Sequence, residues 1–234
     1  MEEDEGFQTT EDMIKIEYKG WDEVSISLYN EISKICGDDN LEALDKNIKL
    51  IALLSDTPED KIWDLELEEL KPLLNDIAWL WKFDFKKKNR WKGNKINING
   101  KPYTICTDLE RFTISQYIDF QMIWPTLKNS DDNYAQILST FIIPEGKKYN
   151  KDYDLKEVIK EIDENLSITQ ANSVLYFFLL CLARSIRATE ICYKVLMKIL
   201  KMRTKTKQDK EQMKEIEERT LEMIKEARLI LGSL

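Results

Sequence analysis

Ser167-Ile-Thr-Gln170, followed by Val174-Leu-Tyr-Phe-Phe-Leu-Leu-Cys-Leu-Ala183, is the stretch that decides the fold. A Ser with a Gln three residues on is a capping box, in which each side chain satisfies a backbone N–H of the other's residue. It predicts a helix start at Ile168. The apolar run behind it is too short to span a bilayer, which takes roughly 18 residues, and Arg184 and Arg187 follow at once. A helix that is apolar nearly all round belongs in a core. The pattern extends to about Met202, so this is the longest helix, about 50 Å at 1.5 Å per residue, with its first half at the centre of a helical bundle.

The same signals recur outward from that helix. Thr113-Ile-Ser-Gln116 predicts a second capping box opening a helix over 114–124, with Pro125 as its stop, and Asp154-Leu-Lys-Glu157 a third, opening a helix to about Asn165. Asp131 or Asp132 starts a helix to about Phe141, closed by Pro144 and Gly146. Toward the N-terminus, Asp22 is the expected cap of a helix to about Cys36, with Val24, Leu28, Ile32 and Ile35 on one face. Leu41, Leu44, Ile48, Ile51 and Leu54 mark the next helix, because apolar residues three or four apart share a face. Thr57-Pro58-Glu59-Asp60 starts a short helix, with Thr as cap and Pro in the first turn. A further helix runs from about Glu66 to Trp81, and Pro72 should start, kink or divide it.

Asn94–Cys106 has a different period. Ile96 and Ile98 alternate on one arm and Tyr103 and Ile105 on the other, with Asn99-Gly100 between. Asn-Gly suits a type I′ turn because both residues tolerate positive φ, so a β-hairpin is predicted. It is the one convincing β element. Only 7 of 234 residues are Gly, about 3% against the ordinary ~7%, which favours helix over a turn-rich β fold.

Several chemistries are excluded. The chain has no histidine, which removes Ser-His-Asp triads, Cys-His dyads and His-ligated metal. Cys36, Cys106, Cys181 and Cys192 contain no CxxC pair, and they read as reduced thiols filling apolar space. No GxGxxG, GxxxxGK[ST] or GxSxG motif occurs. Carboxylates such as Glu66, Glu68, Glu69, Asp131 and Asp132 read as helix starts and caps. Neither a cofactor nor a metal site is expected, although carboxylate ligands for magnesium brought together from distant segments would leave no sequence pattern.

Three elements are suited to contact with other macromolecules. Residues 1–12 carry six acids and no base, where a signal peptide would be basic and then apolar; they read as a solvated tail. Residues 82–101 hold eight basic residues against one acid, a net charge of +7 in a chain whose net charge is −8. Lys86, Lys87, Lys88, Arg90, Lys92 and Lys95 form the candidate basic patch, with Trp79, Trp81 and Trp91 nearby. It is a solvated surface, a site for an acidic protein, or a site where lysines neutralise phosphates and indoles stack on bases. Finally, Met213, Ile216, Thr220, Met223, Ala227, Ile230 and Leu234 step by threes and fours, a heptad seam behind the polar break Arg203–Asp209. It packs back on its own domain or pairs with another chain; Ile216, Met223, Ile230 and Leu234 are its candidate partner-binding residues.

Two stretches carry a resemblance. Lys49-Leu-Ile-Ala-Leu-Leu-Ser-Asp-Thr-Pro-Glu-Asp-Lys-Ile62, and Asn99-Gly-Lys-Pro-Tyr103 through Thr113-Ile-Ser-Gln-Tyr-Ile-Asp-Phe-Gln121, resemble a family of structural and assembly proteins of tailed bacteriophages of gut Bacteroidota, crAss-like phages included. Ile142-Ile-Pro-Glu-Gly-Lys-Lys-Tyr-Asn150 and Leu166-Ser-Ile168 fit the same pattern, so the resemblance covers about residues 41–200. The first stretch is also similar to the core of tail-assembly chaperones. The resemblance implies a non-enzymatic virion component made in the host cytoplasm, in contact with other phage structural proteins in a homo-oligomeric or ring assembly. The alternatives are a tail-assembly chaperone absent from the mature particle and a nucleic-acid-binding module using the basic hairpin. No membrane partner is expected.

The expected architecture is therefore mainly α: an acidic tail over 1–20, a helical domain over 21–202 with a β-hairpin at about 94–106 inside the basic segment 82–106, and an amphipathic C-terminal heptad helix over 203–234.

Overall fold

The computed structural model describes residues 14–82, 91–108, 111–124, 126 and 133–181. The chain is mainly α with a small antiparallel sheet. It divides into two compact units, Met1–Lys87 and Lys88–Leu234, a boundary inside the segment read above as one helical domain. The heptad seam, the acidic residues 1–12 and Cys192 lie outside the described residues.

The first unit holds four helices: α1 (Ile26–Gly37), α2 (Ala43–Ser55), α3 (Glu59–Trp63) and α4 (Leu67–Asp76), then a 3₁₀ turn over Ala78–Lys82. Ser25, not Asp22, caps α1. Its hydroxyl accepts from Leu28 N–H at 3.2 Å, while Glu23 folds back onto Lys19 N–H at 2.7 Å in the turn before. Pro58, not Thr57, stands at the N-cap of α3, and the Thr57 hydroxyl bonds the Ser55 carbonyl instead. At the end of α2, Asp56 takes the left-handed conformation, φ 51°, closing the helix where a Gly is commoner. Pro72 lies inside α4, and the helix stops at Asp76, short of the expected Trp81. Val24, Ile26, Ile32, Ile48, Leu50, Ile51, Leu54, Ile62 and Ile77 form the core, whereas Leu44, expected on the buried face, is exposed. Two lysines of α2 tie its neighbours: Lys49 spans both carboxylate oxygens of Glu59 at 2.9 and 3.0 Å, and Lys46 donates to the Cys36 carbonyl at 2.8 Å.

The second unit contains the expected hairpin, β1 (Lys95–Ile98) and β2 (Lys101–Ile105), with Ile96 opposite Tyr103 and Ile98 opposite Lys101. Asn99 and Gly100 both have positive φ, 49° and 76°, as a type I′ turn requires. The sheet has a third strand that the expectation of a single β element omits: β3 (Ile142–Pro144) pairs antiparallel with β2, Ile105 opposite Ile142 and Tyr103 opposite Pro144. Three residues ending in Pro carry no period to read, and Pro is tolerated there because β3 is an edge strand. Around the sheet stand α5 (Ile114–Ile123), α6 (Tyr134–Ser139), α7 (Leu155–Asn165) and the helical run α8 over 168–181. The Ser167 hydroxyl accepts from Gln170 N–H at 3.3 Å, as the capping box predicts. Ala171, Val174, Leu175, Phe178 and Leu179 of α8 are buried, and Phe178 is the hub of the core. Phe141 stacks on it at 4.0 Å, Phe112 at 6.1 Å, and Phe120 meets it edge-on at 5.5 Å. Tyr176 breaks the all-round burial expected of this helix; it is exposed.

Candidate functional site

Among the described residues, helix α5 is held to its unit from one side. Its first turn is a complete capping box: the Thr113 hydroxyl accepts from Gln116 N–H at 3.2 Å, and the Gln116 side-chain carbonyl accepts from Thr113 N–H at 3.0 Å. The Gln116 amide then donates to the Thr140 carbonyl at 3.0 Å, fixing the helix to the α6–β3 turn. One turn later, the Tyr149 hydroxyl donates to Asp119 at 2.8 Å. Burial first, and the Asp119 carboxylate second, push that hydroxyl well above its ordinary range. Phe120 packs on Phe178 and stacks with Trp124 at 5.5 Å. Gln116, Phe120 and Trp124 are four residues apart and form the inward stripe.

The opposite stripe faces outward and is apolar. Ile114 is 81% exposed, Tyr117 48%, Ile118 49% and Met122 70%. Tyr117, Ile118 and Met122 lie three, four and eight residues beyond Ile114, so they share one face over about two turns. Gln121 lies between them and donates to the Tyr117 hydroxyl at 2.7 Å. The stripe carries no charge. From the exposed fractions it offers roughly 400–500 Å², as large as the largest apolar patch of an ordinary monomer, and such patches are often functional. A sequence reading that sees an apolar helix with a capping box assigns it to the core; nothing local marks which side stays uncovered.

A concave feature lies between the hairpin and α7, a cleft of about 450 Å³ lined by Pro102, Tyr103, Pro144, Tyr153 and the carboxylates of α7. Most of its charge is satisfied internally. Glu161 accepts from the Tyr103 hydroxyl at 2.7 Å, and Lys101 Nζ lies 2.8 Å from its Oε1 and 3.0 Å from its Oε2. Burial works against the Glu161 charge, yet the Lys101 and Tyr103 hydrogen bonds outweigh it and hold the carboxyl below its ordinary value. Lys160 pairs with Glu164 at 3.7 Å, and Asp154 caps α7 by accepting from Lys156 N–H at 2.8 Å. Burial pushes the Tyr153 hydroxyl up.

Of the candidate basic patch, Lys92 and Lys95 are described. Lys92 is exposed just before β1, and Lys95 on β1 is paired with Glu145. With Lys101 on Glu161, both strand lysines of the hairpin meet carboxylates of the same unit. Lys86, Lys87, Lys88 and Arg90 lie outside the described residues, as do Ile216, Met223, Ile230 and Leu234. Among the three tryptophans read as stacking platforms, Trp79 meets Trp21 edge-on at 5.2 Å, Trp91 is half-buried and Trp81 is exposed.

Cys36 and Cys106 are free thiols, and burial raises both. Among the described residues, no three Asp, Glu or Cys side chains converge on a point that would hold a metal ion, and no helix is long and apolar enough to cross a membrane. No protein-family model, curated protein or solved structure matches the chain.

Proposed function

We propose that this chain is a non-enzymatic bacteriophage virion component or assembly protein that works through protein–protein contacts. The observation that carries the contact reading is the outward face of α5. Four large apolar side chains are presented on a helix whose inner side is pinned by Gln116, Asp119 and Phe120, so the face is rigid and preformed. A preorganised apolar stripe binds with little ordering loss, and an amphipathic helix face is a recurrent mode of protein recognition. The phage setting rests on the resemblance of residues 49–62, 99–121 and 142–150. Further contact elements are the acidic N-terminal tail and the C-terminal heptad helix, with Ile216, Met223, Ile230 and Leu234 along its seam. The pairing of Lys95 and Lys101 with Glu145 and Glu161 weakens the hairpin as a phosphate site and favours protein over nucleic acid as its neighbour.

The test is mass spectrometry of purified particles from cells making this chain or its Met122→Glu variant. The wild-type chain is expected in mature particles at a fixed stoichiometry, and the variant, which adds a charge to the stripe, is expected to be depleted. Presence in assembly intermediates alone would point to a chaperone. A chain found in neither, with the variant behaving as wild type, overturns the proposal.

A further inference from the structure

We propose that the outward face of α5 is a self-association surface: a second copy of this chain seats its own α5 antiparallel on Ile114, Tyr117, Ile118 and Met122, forming a weak two-fold dimer. The inference deepens the contact reading above and rests on it, because it names the partner of that face.

Three observations select a second copy. The first is spacing. Among the described residues the face is uncovered, and a two-fold contact needs a patch that complements itself. Ile114, Ile118 and Met122 form one i, i+4, i+8 row, symmetric about Ile118. Turned antiparallel about that residue, a second helix sets Ile118 beside its equivalent and Ile114 beside Met122 of the partner subunit, apolar against apolar at every step. Interdigitating rows of this kind give the commonest crossing of two helices, at about −50°.

The second observation is charge. Each chain carries a net charge of −8, so two copies repel at long range. The outward face of α5 is uncharged: Ser115 and Gln121 are the exposed polar residues beside the apolar row, and the one acid of the helix, Asp119, accepts from the Tyr149 hydroxyl. Complementary charge is what steers a foreign partner and rejects wrong ones. This face offers none, and nothing on it repels its own copy.

The third is area. To the roughly 400–500 Å² of the apolar stripe, the exposed Thr113, Ser115 and Gln121 beside it add about 200 Å². Two copies together remove at most about 1,200–1,400 Å² from water, the lower edge of specific interfaces, where contacts are weak and exchange quickly. Two-fold pairing uses the same small patch twice, and a helix already fixed at Gln116 and Phe120 loses little freedom on binding.

The experiment uses the full-length purified chain. Sedimentation velocity is run from micromolar to near-millimolar protein, in low and in high salt, on the wild type, Met122→Glu and the volume-conserving Met122→Leu. In parallel, a photo-reactive benzoylphenylalanine replaces Tyr117, and the cross-linked products are mapped by peptide mass spectrometry. Expected is a monomer–dimer equilibrium that tightens severalfold in high salt, because screening removes the repulsion between the acidic chains while the contact has no ion pair to lose. Met122→Glu, which brings a charge into an apolar contact, should weaken the dimer by roughly tenfold or more, Met122→Leu should retain it, and cross-links should run in the dimer band and map to residues 114–122. A chain that stays monomeric throughout, a dimer that weakens with salt or ignores Met122→Glu, or cross-links confined to the monomer band, where another segment of the same chain covers the face, overturns the inference. These readouts concern the purified chain alone: dimers from a chain absent from particles refute only the virion reading, and a chain that enters particles but never dimerises refutes only the dimer.

Discussion

Replacing Gln116 by Leu tests how α5 is held. The side chain is 2% exposed, and Leu has a similar volume, so the change opens little cavity and the loss is polar. Two bonds disappear. Thr113 N–H, one of the helix's orphan donors, loses its acceptor at 3.0 Å, worth about 1 kcal/mol for half of a capping box. The carbonyl of Thr140, a residue that is fully buried, loses its donor at 3.0 Å, and an unsatisfied buried carbonyl costs about 1–3 kcal/mol. Better burial of the Leu side chain offsets roughly 1 kcal/mol of this. The expected net is about 2 kcal/mol, which for a chain of this size lowers the Tm by about 4–8 °C. Urea unfolding followed by circular dichroism should show a lower midpoint at unchanged slope, and hydrogen exchange should localise the loss to α5 and the α6–β3 turn. Thr113→Ala, which removes only the hydroxyl half of the box, is the reference at about 1 kcal/mol. If Gln116→Leu changes stability by less than about 0.5 kcal/mol while Thr113→Ala shows its ordinary effect, the reasoning about Thr140 is refuted.

The other predictions concern single positions. Asn30 is buried in α1 with its side-chain carbonyl unpartnered, so Asn30→Leu is expected to stabilise the chain by about 1 kcal/mol in a thermal melt; destabilisation would mean that the oxygen is satisfied. Gly100→Ala places a Cβ at φ 76° and should cost about 1 kcal/mol by urea titration, with no change from a variant at an ordinary φ. The Glu161 carboxyl lies below its ordinary 4.5 in the folded chain. Its contribution is therefore complete above that value and is lost as pH falls through the folded pKa. Unfolding measured from pH 7 down to pH 3 should show a stability loss on the acid side that is smaller in Glu161→Gln, and identical acid limbs would count against the Lys101 and Tyr103 bonds.

What was legible in the sequence was local. Thr113 and Gln116, Ser167 and Gln170, and Asn99-Gly100 specify their helix starts and turn because the bonds and φ angles involved span two to four residues. The mainly-α character follows from the same short-range patterns, and so does the burial of Phe178 in the longest apolar run. The cap of α1 was misplaced for a reason of the same scale: Asp22 and Ser25 are both good caps, and the turn that engages Glu23 leaves the position to Ser25.

Other features depended on residues far apart in the chain. Strand β3 exists because Ile142 and Ile143 lie beside β2, nearly forty residues earlier, and three residues ending in Pro have no period of their own. Lys95 and Lys101 look like a basic surface until Glu145 and Glu161, 50 and 60 residues away, are placed against them. The uncovered side of α5 is the clearest case. Its apolar residues lie on more than one face, so amphipathicity does not orient it. Only the long-range anchors at Thr140, Tyr149 and Phe178 turn Gln116 and Phe120 inward and leave Ile114, Ile118 and Met122 facing out. Sequence thus specified which segments are helix, hairpin and turn, because those are settled by neighbours along the chain; tertiary structure alone decided which surfaces meet, because burial and charge pairing depend on atoms that sequence distance keeps apart.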